Sequence, residues 1–122
     1  MSDAPVSFEM AAEPRFARLV RTSVAAIAAL ESFSLDRTDD VRLLADEVFN
    51  ALICAGADRI RFDADPSEGS VRLVVRGPVD IADPRPAFET ARRVAAVIAP
   101  GFDLRITDTE AVFAVTVTAE PD

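Results

Sequence analysis

The chain has 122 residues with 21 acidic and 13 basic side chains, every basic one an arginine, for a formal net charge of −8. Half of it is hydrophobic and 28% is charged, the balance of one folded domain spanning residues 1–122 rather than of a disordered chain. The acidic balance argues against a nucleic-acid partner, and the absence of histidine beside a single cysteine, Cys54, excludes an intrachain disulfide, a zinc constellation and a histidine-based nucleophile relay.

Met1-Ser2-Asp3-Ala4 lacks the basic-then-apolar form of a secretory leader. No apolar run approaches the roughly 20 residues of a membrane span, so a cytoplasmic location with no membrane contact is expected. Val6, Phe8 and Met10 then alternate with Ser7 and Glu9, the period of a short strand. Glu13-Pro14 opens a helix with proline in its first turn. Along it Phe16, Leu19, Val20, Ser23, Val24, Ile27 and Leu30 recur at helical spacing, while Arg15, Arg18 and Arg21 mostly fall elsewhere on the circumference.

Ser34-Leu35-Asp36-Arg37 reads as a connection, with Asp36, Thr38 or Asp39 capping the next helix. From Val41 to Ala55 the apolar set Val41, Leu44, Ala45, Val48, Leu52 and Ala55 predicts a helix, with Phe49 and Ile53 widening the stripe and Gly56 as a left-handed stop. Ile60, Phe62 and Ala64 alternate with charged residues up to the turn Pro66-Ser67-Glu68-Gly69, and Val71, Leu73 and Val75 continue on the far side as a hairpin. Gly77 to Pro86, with three prolines, reads as a loop. Ala87 to Ala99 reads as a third helix whose packing face is Phe88, Ala91, Ala95 and Ile98. A second hairpin follows, Phe102, Leu104 and Ile106 turning at Asp108-Thr109 into Val112 to Ala119, where Phe113, Val115 and Val117 share a face.

The expected architecture is α+β: a two-layer sandwich with about three helices on one face of a five-stranded, mostly antiparallel sheet. That order, with Phe16-Ala17-Arg18 on the first helix and Leu44-Ala45-Asp46-Glu47-Val48 on the second, resembles the anti-sigma factor serine kinases. These are the RsbW-like branch of the histidine-kinase-type (Bergerat) ATPase fold, and the chain is similar to a divergent actinobacterial member. The resemblance covers nearly the whole chain and is strongest over residues 13–56. It implies a regulator of transcription, of the stress-response kind, that binds a sigma factor or an anti-anti-sigma partner; members of this type commonly form homodimers.

In the family the second helix carries a glutamate, the base for phosphorylating the partner's serine, and four residues on an asparagine that holds the magnesium bridging the ATP phosphates. Glu47 falls in the glutamate's place, but Ala51 stands four residues on, and alanine offers no oxygen to a metal. Asn50 lies one residue early, about 100° around the helix. A rival register pairs Asp46 with Asn50 at a spacing of four, at the cost of shifting Val48 and Gly56.

The family's adenine-binding aspartate and its close-set glycines follow the strand ending near Val75. This chain reads Arg76-Gly77-Pro78-Val79-Asp80 there, and its four glycines never form a close pair. The resemblance therefore implies a protein-binding module with ATP binding lost and no cofactor. The alternative is an ATP-dependent serine/threonine protein kinase acting on an anti-anti-sigma factor, with ATP and magnesium at a surviving site around Glu47, Asp46 and Asn50.

As partner-binding residues the resemblance points to Arg18, with Arg15 and Arg21 beside it. Read from the residues alone, these arginines are solvated helix positions, and Asp46, Glu47 and Asn50 are the wet side of an amphipathic helix. Cys54 reads as a small core residue. Arg59, Arg61, Arg72 and Arg76 read as a basic stripe on one sheet face, interrupted by Asp63 and Asp65 and held by cross-strand salt bridges.

Overall fold

The computed structural model describes residues 4–120, so Met1, Ser2 and Asp3, read above for a leader, lie outside the described residues. Strand β1 (Val6–Ala11) leads through a 3-10 turn at Pro14–Phe16 into α1 (Ala17–Ala29). Helix α2 (Leu35–Cys54) is followed by the hairpin of β2 (Arg59–Ser67) and β3 (Ser70–Pro78). A second 3-10 turn, Arg85–Phe88, enters α3 (Glu89–Ile98), and β4 (Asp103–Ile106) and β5 (Glu110–Thr118) complete the order. The fold is α+β, with three α-helices and a five-stranded sheet ordered β1-β2-β3-β5-β4, every neighbouring pair antiparallel.

β3 and β4 both run antiparallel to β5 and so are parallel to each other. Parallel strands need a crossover, and α3 supplies it, leaving a gap that β5 fills. Period-two alternation decides which side of the sheet the helices cover. Ile60, Phe62, Ala64, Val71, Leu73, Val75, Phe113, Val115 and Val117 are buried against them, while the residues between mostly face outward. The helices answer with Val20, Val24 and Ile27 of α1, Val41, Leu44, Val48, Phe49 and Leu52 of α2, and Ala91, Ala95 and Ile98 of α3. Phe49, Phe62, Phe88 and Phe113 are among the largest fully buried side chains, each contributing about 1.5–3 kcal/mol by leaving water.

Several boundaries differ from the sequence expectation. α2 begins at Leu35 rather than Val41, and its cap is Ser34, whose hydroxyl accepts from the Arg37 backbone N–H at 3.0 Å; Asp36, Thr38 and Asp39 lie inside the helix. The first turns of α2 are held by a buried arginine. Arg37, 7% exposed, donates to the carbonyls of Thr118 (2.7 Å) and Ile98 (3.1 Å) and to Asp40 Oδ2 (3.1 Å), tying α2 to the ends of β5 and α3. Ile98 ends α3, where unpaired carbonyls concentrate negative potential that suits a guanidinium.

Leu19 and Leu30, expected on the packing face of α1, are 50% and 66% exposed, because the buried stripe runs narrowly through Val20, Val24, Ile27 and Ala28. The first hairpin is tighter than expected: Pro66 and Ser67 still pair in β2, opposite Val71 and Ser70, and Glu68 and Gly69, both at positive φ, make the turn. The expected loop from Gly77 begins two residues later, since Gly77 and Pro78 pair with Ala111 and Glu110 of β5. Among the described residues no helix is long and apolar enough to cross a membrane.

Candidate functional site

α1 and α2 form a helical hairpin, and their outer surfaces carry the residues singled out by sequence. Arg15 is exposed, pairs with Glu13 at 2.8 Å and lies over the Phe16 ring, 4.3 Å from its centroid. Arg21, one helical turn past Arg18, reaches across to α2 and donates to Asp46 Oδ1 at 3.0 Å. Arg18, between them, is exposed and makes no ion pair among the described residues. Exposed Leu19 stands next to it.

On α2, Asp46 and Glu47 are half-buried and Asn50 is exposed. Asp46, the acid of the rival register, is occupied by Arg21. Ala51 is turned into the core, 4% exposed. Cys54 is exposed, a correction to its expected core position: Ala51, Leu52 and Ala55 take the buried side of the helix end. Among the described residues no three or more histidine, cysteine or acidic side chains converge as a metal site.

Beyond α2 the chain is packed tightly. Gly56, at φ +92°, ends the helix as its left-handed stop, and a Cβ there would lie 3.0 Å from Asp80 Cβ. At Gly77 a Cβ would come 2.9 Å from the Arg59 carbonyl oxygen and 3.2 Å from Ala57 Cβ. Two glycines thus allow the end of β3 to lie directly on the end of α2. The amides of this segment are spent within the fold. Pro78 has none, the Val79 N–H donates to Thr109 O at 3.0 Å, and the Asp80 N–H donates to Ala55 O at 2.9 Å.

Two clefts flank the loop that follows. One, of about 330 Å³, is lined by Val79, Ile81, Pro84, Arg85, Ile106 and Asp108 among others. The other, of about 630 Å³, lies along α3 between Arg85, Glu89, Arg92, Arg93 and Phe102. Neither is lined by Asp46, Glu47 or Asn50. At their shared border Arg85 donates to Asp83 at 3.0 Å; that hydrogen bond holds the Asp83 carboxyl below its usual range and raises Arg85, in a fully exposed pair.

On the opposite, uncovered face of the sheet, Arg59 pairs with Glu9 across to β1 (3.1 Å) and Arg61 with Asp63 two residues along its own strand (3.2 Å). The cross-strand bridging expected there is therefore partial. Arg72 and Arg76 make no ion pair among the described residues.

Sequence reasoning missed Arg37, the most extensively bonded arginine of the helix layer. Its signal was a charged residue at position 37, one helical turn before Val41 and in line with the apolar stripe. Compared with known proteins, the chain matches no protein-family model and no curated protein.

Proposed function

We infer that this chain is a regulatory protein-binding module of the anti-sigma kind, acting by occlusion through the outer surface of α1. The observation that carries the reading is the contrast among three arginines on one helical surface. Arg15 and Arg21 are engaged by Glu13 and Asp46, whereas exposed Arg18, beside the exposed Leu19, makes no ion pair among the described residues. A free arginine next to an exposed aliphatic side chain is the chemistry of an interface anchor for an acidic residue. The expected partner is a sigma factor or an anti-anti-sigma protein that presents such an acid.

The same reading assigns no nucleotide to the chain. Phosphoryl transfer rests on a metal clamp and on backbone donors aimed at the phosphates. Support comes from the end of β3, where the amides of Val79 and Asp80 are bonded internally, and from α2, where Asp46 is held by Arg21 and Ala51 is turned inward. Glu47 alone supplies neither requirement.

The test is calorimetric titration against the sigma factors and anti-anti-sigma proteins of the native cell, with wild type and Arg18→Glu. The wild type is expected to bind one of them, and Arg18→Glu to weaken that complex by about 2 kcal/mol, roughly thirtyfold. Equal affinity of both proteins for every candidate would remove the reading. A companion melt with millimolar Mg-ATP should show no shift; a rise in melting temperature by mass action would instead favour the kinase.

A further inference from the structure

The relief of the open sheet face follows the lengths of its side chains. On β5 the outward residues Val112, Ala114 and Thr116 are short, whereas β3 on one side presents Arg72 and Arg76 and β4 on the other presents Asp103 and Arg105. A short-chained strand between two long-chained ones makes a trough, a shallow basin of about 520 Å³ floored by the half-buried Val74, Val112 and Ala114. In its walls Arg105 is held by Asp103 at 3.2 Å. Arg72 and Arg76 are exposed and make no ion pair among the described residues, although Asp65 lies opposite Arg72 in register. Arg76 also stands directly across from Arg61, a like-charge pairing that costs stability and that a carboxylate from outside relieves.

We propose that this trough docks an acidic amphipathic helix of another protein. The helix lays its apolar stripe on Val74, Val112 and Ala114, and carboxylates along one flank reach Arg72 and Arg76. Width selects a helix: β3 and β4 are two strand spacings apart, about 10 Å, which is the diameter of a helix with its side chains. The backbone selects it too. β3 lies between β2 and β5, and β5 between β3 and β4, so the floor offers side chains rather than unpaired amides to which a strand could be added. A helix arrives with its own backbone bonds already made.

Along β3, Arg72 and Arg76 stand about 14 Å apart, a length that a helix covers in about nine residues, so acids two to three turns apart on one flank meet both. Glu110 stands at the end of the trough beyond Arg76 and limits the stretch that accepts acids. The net charge of −8 repels an acidic partner from the chain as a whole, so the association is weak, salt-sensitive and confined to ground that carries arginine. The trough uses the side of the molecule opposite α1, so it stands or falls independently of the Arg18 surface.

Amide chemical shifts of the isotope-labelled protein test it at low salt. The probe is a synthetic helical peptide of about 18 residues with a leucine stripe flanked by glutamates, and its control has lysines in place of the glutamates. The glutamate peptide is expected to move the amides of Arg72, Val74, Arg76, Val112 and Ala114, and the lysine peptide to leave them unmoved. Arg72→Glu with Arg76→Glu should weaken the glutamate peptide about tenfold or more, and Arg76→Gln should weaken it less. The same spectra report whether each variant is folded. Arg18→Glu should bind the peptide as the wild type does. No shift at about 1 mM glutamate peptide, shifts centred on α1, equal binding of both peptides, or folded arginine variants that bind like wild type would each overturn the proposal. So would trough amides that move with protein concentration in the absence of peptide, which would hand the face to a second copy.

Discussion

Two regions along the helix layer are built on opposite terms. At the two ends of α2 key polar groups are committed: Arg37 bonds Asp40 on its own helix and ties it to the ends of β5 and α3, and Gly77 and Asp80 lie against the far helix end with the Val79 and Asp80 amides consumed. The outer surface of α1 is the reverse: Arg18 makes no ion pair among the described residues, and Leu19, with Leu30 just past the helix end, is exposed. The difference separates residues that hold the scaffold from residues left over for something else. It also locates change: substitutions in the first region should register in stability, and those in the second in binding.

The largest expected effect is at Arg37. Arg37→Ala leaves the Thr118 and Ile98 carbonyls without their donor and opens a gap between three elements, so unfolding free energy in a urea titration should fall by about 3 kcal/mol. Arg37→Lys keeps the charge but loses the planar fork that reaches both carbonyls and Asp40, and should recover less than half of the loss. A lysine variant as stable as wild type would mean that charge, not geometry, matters there.

Gly77→Ala comes next. The added methyl meets the Arg59 backbone carbonyl, which cannot rotate away, and the expected loss is about 2 kcal/mol. Gly101→Ala is the internal control, because nothing lies within 4 Å of a Cβ there. It should change the melting midpoint by no more than an ordinary surface substitution, within ~0.5 kcal/mol. Equal effects at the two glycines would show that the end of β3 is looser against α2 than its geometry implies.

The order of elements was legible in the sequence because the apolar periods are clean, 3.6 in the helices and 2 in the strands, and Gly56 marked the end of α2. The start of α2 was not. Its first turns present exposed Leu35 outward and bury Arg37 and Thr38, so hydrophobic periodicity ran the wrong way until Val41. Leu19 and Leu30 misled in the other direction, since helical spacing alone cannot say how wide a stripe the neighbouring elements will cover. The candidate residues of α1 and α2 were nameable from their resemblance, but not their states. That Arg21 is held depends on a contact between positions 25 residues apart, which only the packing of the two helices creates.

That contact gives the smallest and most discriminating prediction. Arg21 and Asp46 are 42% and 25% exposed, so their ion pair is partly screened and a double-mutant cycle with Arg21→Ala and Asp46→Ala should give a coupling of about 0.5 kcal/mol. The coupling should shrink in high salt. Asp46→Ala alone also releases Arg21, adding a second free guanidinium one turn from Arg18. If the α1 surface recognises an acidic partner, that variant should bind slightly more tightly than wild type while being slightly less stable. A loss of partner affinity on the same substitution would place Asp46 in the contact surface and shift the binding site from α1 onto α2.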